Sequence, residues 1–244
     1  MAPPAARRPL ALGTMARRPV RILCLHGYQT GGDILRCQLQ RAGWTRALEP
    51  RGVEFVCLDA PHGTGGRVDP VVAKFFPGMP NFNWWDARKN SDGSWDYRGQ
   101  AASVAAVEAA ILRETEGGRG GIDGLLGFSQ GACFAHTLMC LQAQGAGLRE
   151  LPPLKFSILI AGFKSRNAAH RGMLDRTDFP CAHVYGQKDP GFAYSAKLAR
   201  EWPRAGGLVQ EHGKGHVVPD FNRDLDGPSL MAFLEQHSRA KSYL

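Results

Sequence analysis

Ile122-Asp123-Gly124-Leu125-Leu126-Gly127-Phe128-Ser129-Gln130-Gly131-Ala132 is the stretch that decides how this chain is read. Its first half, Ile122 to Phe128, is a short apolar run of the kind that forms a buried strand. Its second half opens a segment, Gly131 to Gln144, with Cys133, Leu138 and Leu141 on or near one helical face. Between the two lies Gly127-Phe128-Ser129-Gln130-Gly131, the G-x-S-x-G pattern of a nucleophile elbow. The chemistry needs that spacing for a steric reason. A serine on a tight strand-to-helix turn stands clear of the sheet, and flanking glycines let neighbouring backbone pass close to it. The helix start then aims amide donors at developing negative charge.

Outward from the elbow the chain alternates strands and helices. Strands are expected at Val20–Leu25, Glu54–Leu58, Phe156–Ala161, Cys181–Tyr185 and Leu208–Glu211, besides the one at 122–128. Helices are expected at 101–115, 131–144, 192–202 and 228–239. Short apolar strands alternating with helices imply a single α/β domain over residues 20–240. Its sheet is mostly parallel, has about six strands, and is covered by helices on both faces. One segment breaks the rhythm. Residues 62–100 have weak periodicity but hold Phe75, Phe76, Phe82, Trp84, Trp85, Trp95 and Tyr97. A long aromatic segment must pack on something. It is expected to form a short cap over Ser129, with Trp84 and Trp85 lining a pocket for substrate. The competing expectation is that these rings only anchor the segment to the body.

An elbow serine needs a base, and the base an orienting acid, in the chain order Ser, Asp or Glu, His. Downstream of Ser129 are His136, His170, His183, His212, His216 and His237. His136 falls on the helix after the elbow, His183 inside a strand, and His237 in the terminal helix, where it is expected to face solvent. His216, in Gly213-Lys214-Gly215-His216, lies on a loop beyond a strand end, where a base can reach the carboxyl edge of the sheet. His212 is nearer the strand and is expected to be packed. Asp189 follows the fifth strand and is the favoured acid. Asp220 is the runner-up, and Asp175 and Asp178 precede that strand at the wrong edge. The oxyanion donors are expected to be the backbone N–H groups of Gln130 and Tyr28. His26 is read as shaping its loop, and the Gly63-Thr64-Gly65-Gly66 run as a turn.

Composition limits the alternatives. The chain has 244 residues, 43% of them hydrophobic, enough for a packed core and too many for a disordered chain. No apolar run approaches the roughly 18 residues of a membrane span. The net charge is +8, but Arg7, Arg8, Arg17 and Arg18 supply half of it within residues 1–19, which contain no acid. The remaining basic residues form no run and no nucleic-acid motif, so no nucleic-acid partner is expected. Residues 1–19 are read as a disordered basic leader. Their composition also suits an organelle transit peptide, but four prolines argue against an amphipathic helix. Cys24, Cys37, Cys57, Cys133, Cys140 and Cys181 contain no Cys-x-x-Cys pair, so neither a zinc site nor a thioredoxin-type redox site is expected. The expectation is a reduced, cytoplasmic protein, with the nucleus left open, and with no metal and no cofactor.

These motifs together resemble the FSH/OVCA2-type serine hydrolase family of the α/β-hydrolase superfamily. The matching stretches are Arg21-Ile22-Leu23-Cys24-Leu25-His26-Gly27-Tyr28, Trp84-Trp85, Ile122-Asp123-Gly124, the elbow with Leu125, Leu126 and Ala132, Ala161-Gly162-Phe163, His183 to Asp189, and Gly215-His216-Val217-Val218-Pro219. The resemblance covers roughly residues 20–238. It implies a compact α/β-hydrolase, esterase or thioesterase activity on a small acyl substrate, and a triad at Ser129, Asp189 and His216. Asp189 is followed by Pro190-Gly191, where the family more often has a longer run before its next proline, and the Arg-rich leader is not a family feature. The rival from another class is a non-catalytic ligand-binding receptor or scaffold on the same fold.

Overall fold

The computed structural model describes residues 18–118, 120–174, 179–201 and 207–238. Asp175, Asp178, Trp202 and Arg239 lie outside the described residues, as does all of the basic leader except Arg18 and Pro19. The chain runs β1 (Val20–Leu25), α1 (Gly32–Arg41), α2 (Trp44–Leu48) and β2 (Val53–Leu58). The capping segment follows, with β3 (His62–Gly63), α3 (Pro70–Phe75), β4 (Phe82–Asn83), β5 (Asp86–Lys89) and β6 (Trp95–Arg98). Then come α4 (Gln100–Glu116), β7 (Gly124–Phe128), α5 (Gln130–Ala143), β8 (Phe156–Ile160), β9 (Cys181–Gly186), α6 (Phe192–Glu201), β10 (Leu208–His212) and α7 (Gly227–Ser238).

Six of these strands form one parallel sheet in the order β10-β9-β8-β7-β1-β2. Parallel strands need crossover helices, so both faces of the sheet are covered. The period-2 alternation of each strand divides the core accordingly. Leu23 and Leu25 of β1, with Leu125 and Leu159, pack on α4 and α5. Ile22 and Cys24, with Leu126, Ile158 and Val184, pack on α1, α2 and α7. All six strand expectations correspond to strands of this sheet, with β1 as expected and each of the others differing at one end by at most two residues. The elbow strand starts at Gly124 rather than Ile122 because Asp123 serves as an anchor. Its buried carboxylate accepts from Arg18 (2.6 and 2.8 Å), from Lys155 Nζ (2.7 Å) and from the Arg21 amide (3.0 Å). Burial opposes its ionisation, but those donors outweigh it and hold the carboxyl below its ordinary range.

Three features differ from the sequence reading. Helices α1 and α2, between β1 and β2, were not expected. The 62–100 segment, which showed only weak periodicity, forms the short helix α3 and two small antiparallel pairs, β3 with β4 and β5 with β6. His237 is half-buried, with its ring 4.8 Å from that of Phe233, rather than facing solvent. Among the described residues, no helix is long and apolar enough to cross a membrane.

The buried histidines make the fold acid-labile. Burial depresses His136 to about 3, aided by the charges of His183 and Lys164, and depresses His26 and His183 to about 4. The unfolded chain binds those protons near the free histidine value of about 6.5, so stability is complete above it and falls as pH drops toward the folded values. Three protons correspond to a slope of about 4 kcal/mol per pH unit. A domain holding about 5 kcal/mol should therefore unfold near pH 5, and one holding about 9 kcal/mol near pH 4. Melting temperature followed from pH 7 to 4 checks this, and a flat profile would contradict it.

Candidate active site

The elbow is enforced by close backbone approaches. Ser129 sits at φ 55°, ψ −113°, a left-handed conformation a serine adopts only under constraint. A Cβ on Gly127 would lie 2.3 Å from the Gly131 carbonyl oxygen, and one on Gly131 would lie 2.0 Å from that of Leu25. Both positions therefore exclude any side chain. The Ser129 amide donates to the Ile160 carbonyl (2.9 Å), and the Ser129 carbonyl accepts from the amides of Ala132 and Cys133, starting α5. The serine is half-buried at the carboxyl edge of the sheet, where ligands bind in parallel α/β folds.

The loops after β9 and β10 meet beside it. The Lys188 amide donates to the Lys214 carbonyl (3.0 Å), and the Gln187 amide to that of His212 (2.8 Å). Gly186 is needed there, since a Cβ would lie 2.3 Å from the Lys214 oxygen. Across this junction His216 Nδ1 and Asp189 Oδ2 stand 2.7 Å apart. The other carboxylate oxygen accepts the Gly191 amide at 2.6 Å. The Asp189 side chain is only 3% exposed, whereas that of His216 is 44% exposed. With Nδ1–H donated to the buried acid, Nε2 is left as the accepting nitrogen. The His216 ring packs 5.0 Å from that of Phe128, the residue before Ser129. Ser129, Asp189 and His216 are thus gathered at one sheet edge.

The other histidines have structural settings. His212 is 4% exposed, and its Nδ1 accepts from the Lys214 amide (3.3 Å). His26 lies fully buried between the Gly27 carbonyl (2.8 Å from Nδ1) and the Ala60 amide (3.0 Å from Nε2), which fixes the turn after β1. Asp220 caps a turn through the amides of Asn222 and Arg223. Among the described residues there is no cluster of three His, Cys, Asp or Glu residues suited to a metal.

The turn that carries Tyr28 passes over the serine. A Cβ at Gly27 would lie 3.6 Å from the Ser129 Cβ. Thr30 Oγ1 donates to the Gly27 carbonyl (2.8 Å), and the Gln29 amide, at φ 52°, donates to Asn83 Oδ1 (2.9 Å). Gln130 opens α5, whose first amides have no partner within the helix. Its side chain has a second task that the sequence reading missed. Oε1 accepts from the Trp84 amide (3.0 Å) and Nε2 donates to the Trp85 carbonyl (2.9 Å), stitching the capping segment to the elbow.

The pocket role expected for Trp84 and Trp85 is not what the structure shows. They are 0% and 2% exposed and belong to the core. Trp84 Nε1 donates to the His26 carbonyl (2.9 Å), and its ring packs against His26 and Phe134. Trp85 stacks on Tyr97 at 4.6 Å. The paired indoles face inward because their amide and carbonyl are consumed by Gln130. Trp84→Ala and Trp85→Ala are each expected to destabilise the protein by about 3–5 kcal/mol. They should leave the relative kcat/KM across acyl lengths unchanged, which denaturant titration and a chain-length series check together.

A cavity beside His216 has neither Trp84 nor Trp85 in its lining. It measures about 640 Å³, and its walls include Ala161, Phe163, Pro190, Tyr194 and Leu198. Ala161 and Phe163 come from the loop after β8, Pro190 from the loop after β9, and Tyr194 and Leu198 from α6.

A strained serine between strand and helix, with a buried acid and a histidine from later loops of a parallel sheet, is the arrangement of an α/β-hydrolase. The chain belongs to the family described as Serine hydrolase (FSH1), which matches residues 15–226. It is 32% identical to Esterase OVCA2 of Homo sapiens over 219 residues, 84% of this chain and 91% of that one. It is 32% identical to Esterase CG5412 of Drosophila melanogaster, over 82% of this chain and 68% of that one. It is also 31% identical to Esterase GA18864 of Drosophila pseudoobscura pseudoobscura, of which it spans 66%. Among solved structures it is similar to acyl-protein thioesterase 2 of Zea mays, with TM-score 0.59 and 19% identity over 90% of this chain and 96% of that one. A Bacillus cereus carboxylesterase follows at TM-score 0.52 and 17% identity, over 90% and 87%. At those identities the likeness concerns the fold.

Proposed function

We propose that the protein hydrolyses carboxylic esters or thioesters of apolar acyl groups through an acyl-enzyme on Ser129. The observation that supports this reading is the 2.7 Å contact between His216 Nδ1 and the buried Asp189, with the His216 ring packed 5.0 Å from that of Phe128, the residue before the elbow serine. In the first half-reaction His216 Nε2 takes the Ser129 proton while Oγ attacks the carbonyl carbon. Asp189 keeps Nδ1 protonated and stabilises the imidazolium. The carbonyl oxygen becomes an oxyanion held by the amides of Gln130 and Tyr28, each donor contributing about 10²–10³ in rate. Collapse expels the alcohol or thiol, which takes the proton from His216. Water, activated by the same nitrogen, then attacks the acyl-enzyme and frees the carboxylic acid and Ser129.

The cavity beside His216 supports an apolar acyl group rather than a polar one, since its walls are mainly carbon. A stopped-flow experiment with p-nitrophenyl esters tests the reading. A burst of nitrophenol of one equivalent per chain, with acyl-enzyme trapped at Ser129 by mass spectrometry at low pH, is expected. Hydrolysis without a trappable acyl group on Ser129 would overturn it. No turnover of any ester or thioester would favour a ligand-binding protein on the same fold.

A further inference from the structure

The wall of the cavity formed by the loop after β8 carries a cation that the reaction does not use. Arg166 lies on this wall together with His216 and Asp189. Its guanidinium carbon is 4.4 Å from the centre of the Trp95 ring. Its loop is pinned to the capping segment: the Arg166 amide donates to Tyr97 Oη (3.0 Å), Asn167 bridges to Trp95, and Asn167 Nδ2 donates to Gln100 Oε1 (3.0 Å). Stacking engages the face of a guanidinium and leaves the N–H edge open, the geometry in which arginine grips a carboxylate or phosphate with two parallel bonds. Among the described residues no carboxylate pairs with Arg166, and its guanidinium donates no hydrogen bond. The neighbouring acids are committed elsewhere. Glu201 is shared by Lys164 (3.5 Å) and Lys197 (3.7 Å), and Asp189 is held by His216 and the Gly191 amide.

We propose that Arg166, positioned by Trp95, is an anion receptor at the mouth of the acyl cavity, and that the substrate carries a carboxylate or phosphate there. This rests on the hydrolase reading above and specifies its substrate class. Lys164 and Lys197 also line the cavity but share Glu201, so Arg166 is the lining cation with no carboxylate of its own, and an apolar cavity edged in this way fits an amphiphilic acyl compound, not a neutral one. The anion has two chemical sources. It is a carboxylate at the far end of the acyl chain, or a phosphate of the leaving group, as in an acyl-coenzyme A thioester. The proposal also gives the capping segment a purpose. Trp95 and Tyr97, both on β6, fix the orientation of a specificity residue rather than lining the pocket.

The test compares wild type with Arg166→Gln, Arg166→Lys and Trp95→Leu on matched probes. These are p-nitrophenyl octanoate (neutral), the p-nitrophenyl monoester of suberic acid (distal carboxylate), octanoyl-coenzyme A, and octanoyl-N-acetylcysteamine (neutral thioester). Arg166→Gln should lower kcat/KM for one anionic probe by about ten- to hundredfold, chiefly through KM, because a charge-assisted pair is lost. Both neutral probes should stay within about twofold, since Arg166 is exposed and its substitution is a surface change. Arg166→Lys should recover part of the loss as a point charge. Trp95→Leu should raise KM for the same probe alone. Loss confined to the suberate ester assigns the anion to the acyl chain, and loss confined to coenzyme A assigns it to the leaving group. Equal loss on charged and neutral probes, or no loss on either anionic probe, would overturn the proposal. Calorimetric binding of suberate and coenzyme A, with and without Arg166→Gln, separates the two readings. If no probe is turned over but Arg166→Gln still weakens binding of one anion, the hydrolase reading falls and the receptor site stands.

Discussion

Ser129→Ala is expected to lower ester and thioester hydrolysis by about 10⁵- to 10⁶-fold, the scale on which loss of a serine nucleophile acts. The protein should stay folded, because the hydrogen bonds that hold the elbow come from the Ser129 amide and carbonyl, which alanine keeps. The left-handed φ of 55° costs alanine about what it costs serine. Residual activity is expected from the oxyanion amides and the cavity, which this substitution leaves in place. Purified Ser129→Ala with a normal melting temperature and more than about 1% of wild-type kcat/KM would show that another nucleophile acts, since loss of the true nucleophile leaves far less than that.

His216→Ala is the second large effect, expected to cost about as much as Ser129→Ala because the two act as one unit. The double substitution should then be no worse than either single one. Asp189→Asn should cost about 10⁴-fold, since an amide can no longer fix Nδ1–H and the imidazole adopts the wrong tautomer. His212→Ala distinguishes position from chemistry. His212 is four residues away, but it is 4% exposed and accepts the Lys214 amide, so its loss should loosen the loop and lower stability more than rate. Measured at a temperature where all variants are folded, His216→Ala should be far the slower. If His212→Ala were the inactive one, the base would be misassigned.

The sheet edge that carries Ser129, Asp189 and His216 was legible in the sequence for a physical reason. Parallel strands are buried on both faces, so β7 reads as an apolar run ending abruptly at Ser129, and the glycines at 127 and 131 mark where backbone passes too close for a side chain. Asp189 and His216 could be placed because they follow strands on loops at the same edge. Helix α1 was missed because its mostly polar sequence carries few apolar residues on a narrow face, and α2 because its five residues are too few to show a helical period. The capping hairpins were missed because β3 and β4 are two residues long and β5 is exposed throughout, leaving no alternation to read. Trp84 and Trp85 show the limit most clearly. Composition said that the rings must pack, but only the Gln130 side chain, reaching back to their amide and carbonyl, decides that they pack inward. Arg166 gave no local signal, because its meaning depends on Trp95, more than seventy residues earlier. Residue 166 and the indole meet only through the fold.

The central claim is that Ser129 is an activated nucleophile, and reaction with a fluorophosphonate probe tests it most directly. Such a reagent phosphonylates a serine that has a base beside it and an oxyanion site to receive the phosphoryl oxygen. Intact-mass spectrometry of the folded protein should show one adduct per chain, and peptide mapping should place it on Ser129. Labelling should vanish in Ser129→Ala, fall sharply in His216→Ala, and be lost when the protein is unfolded before the probe is added. A folded wild-type protein that takes up no probe, or takes it up at a residue other than Ser129, would contradict the account.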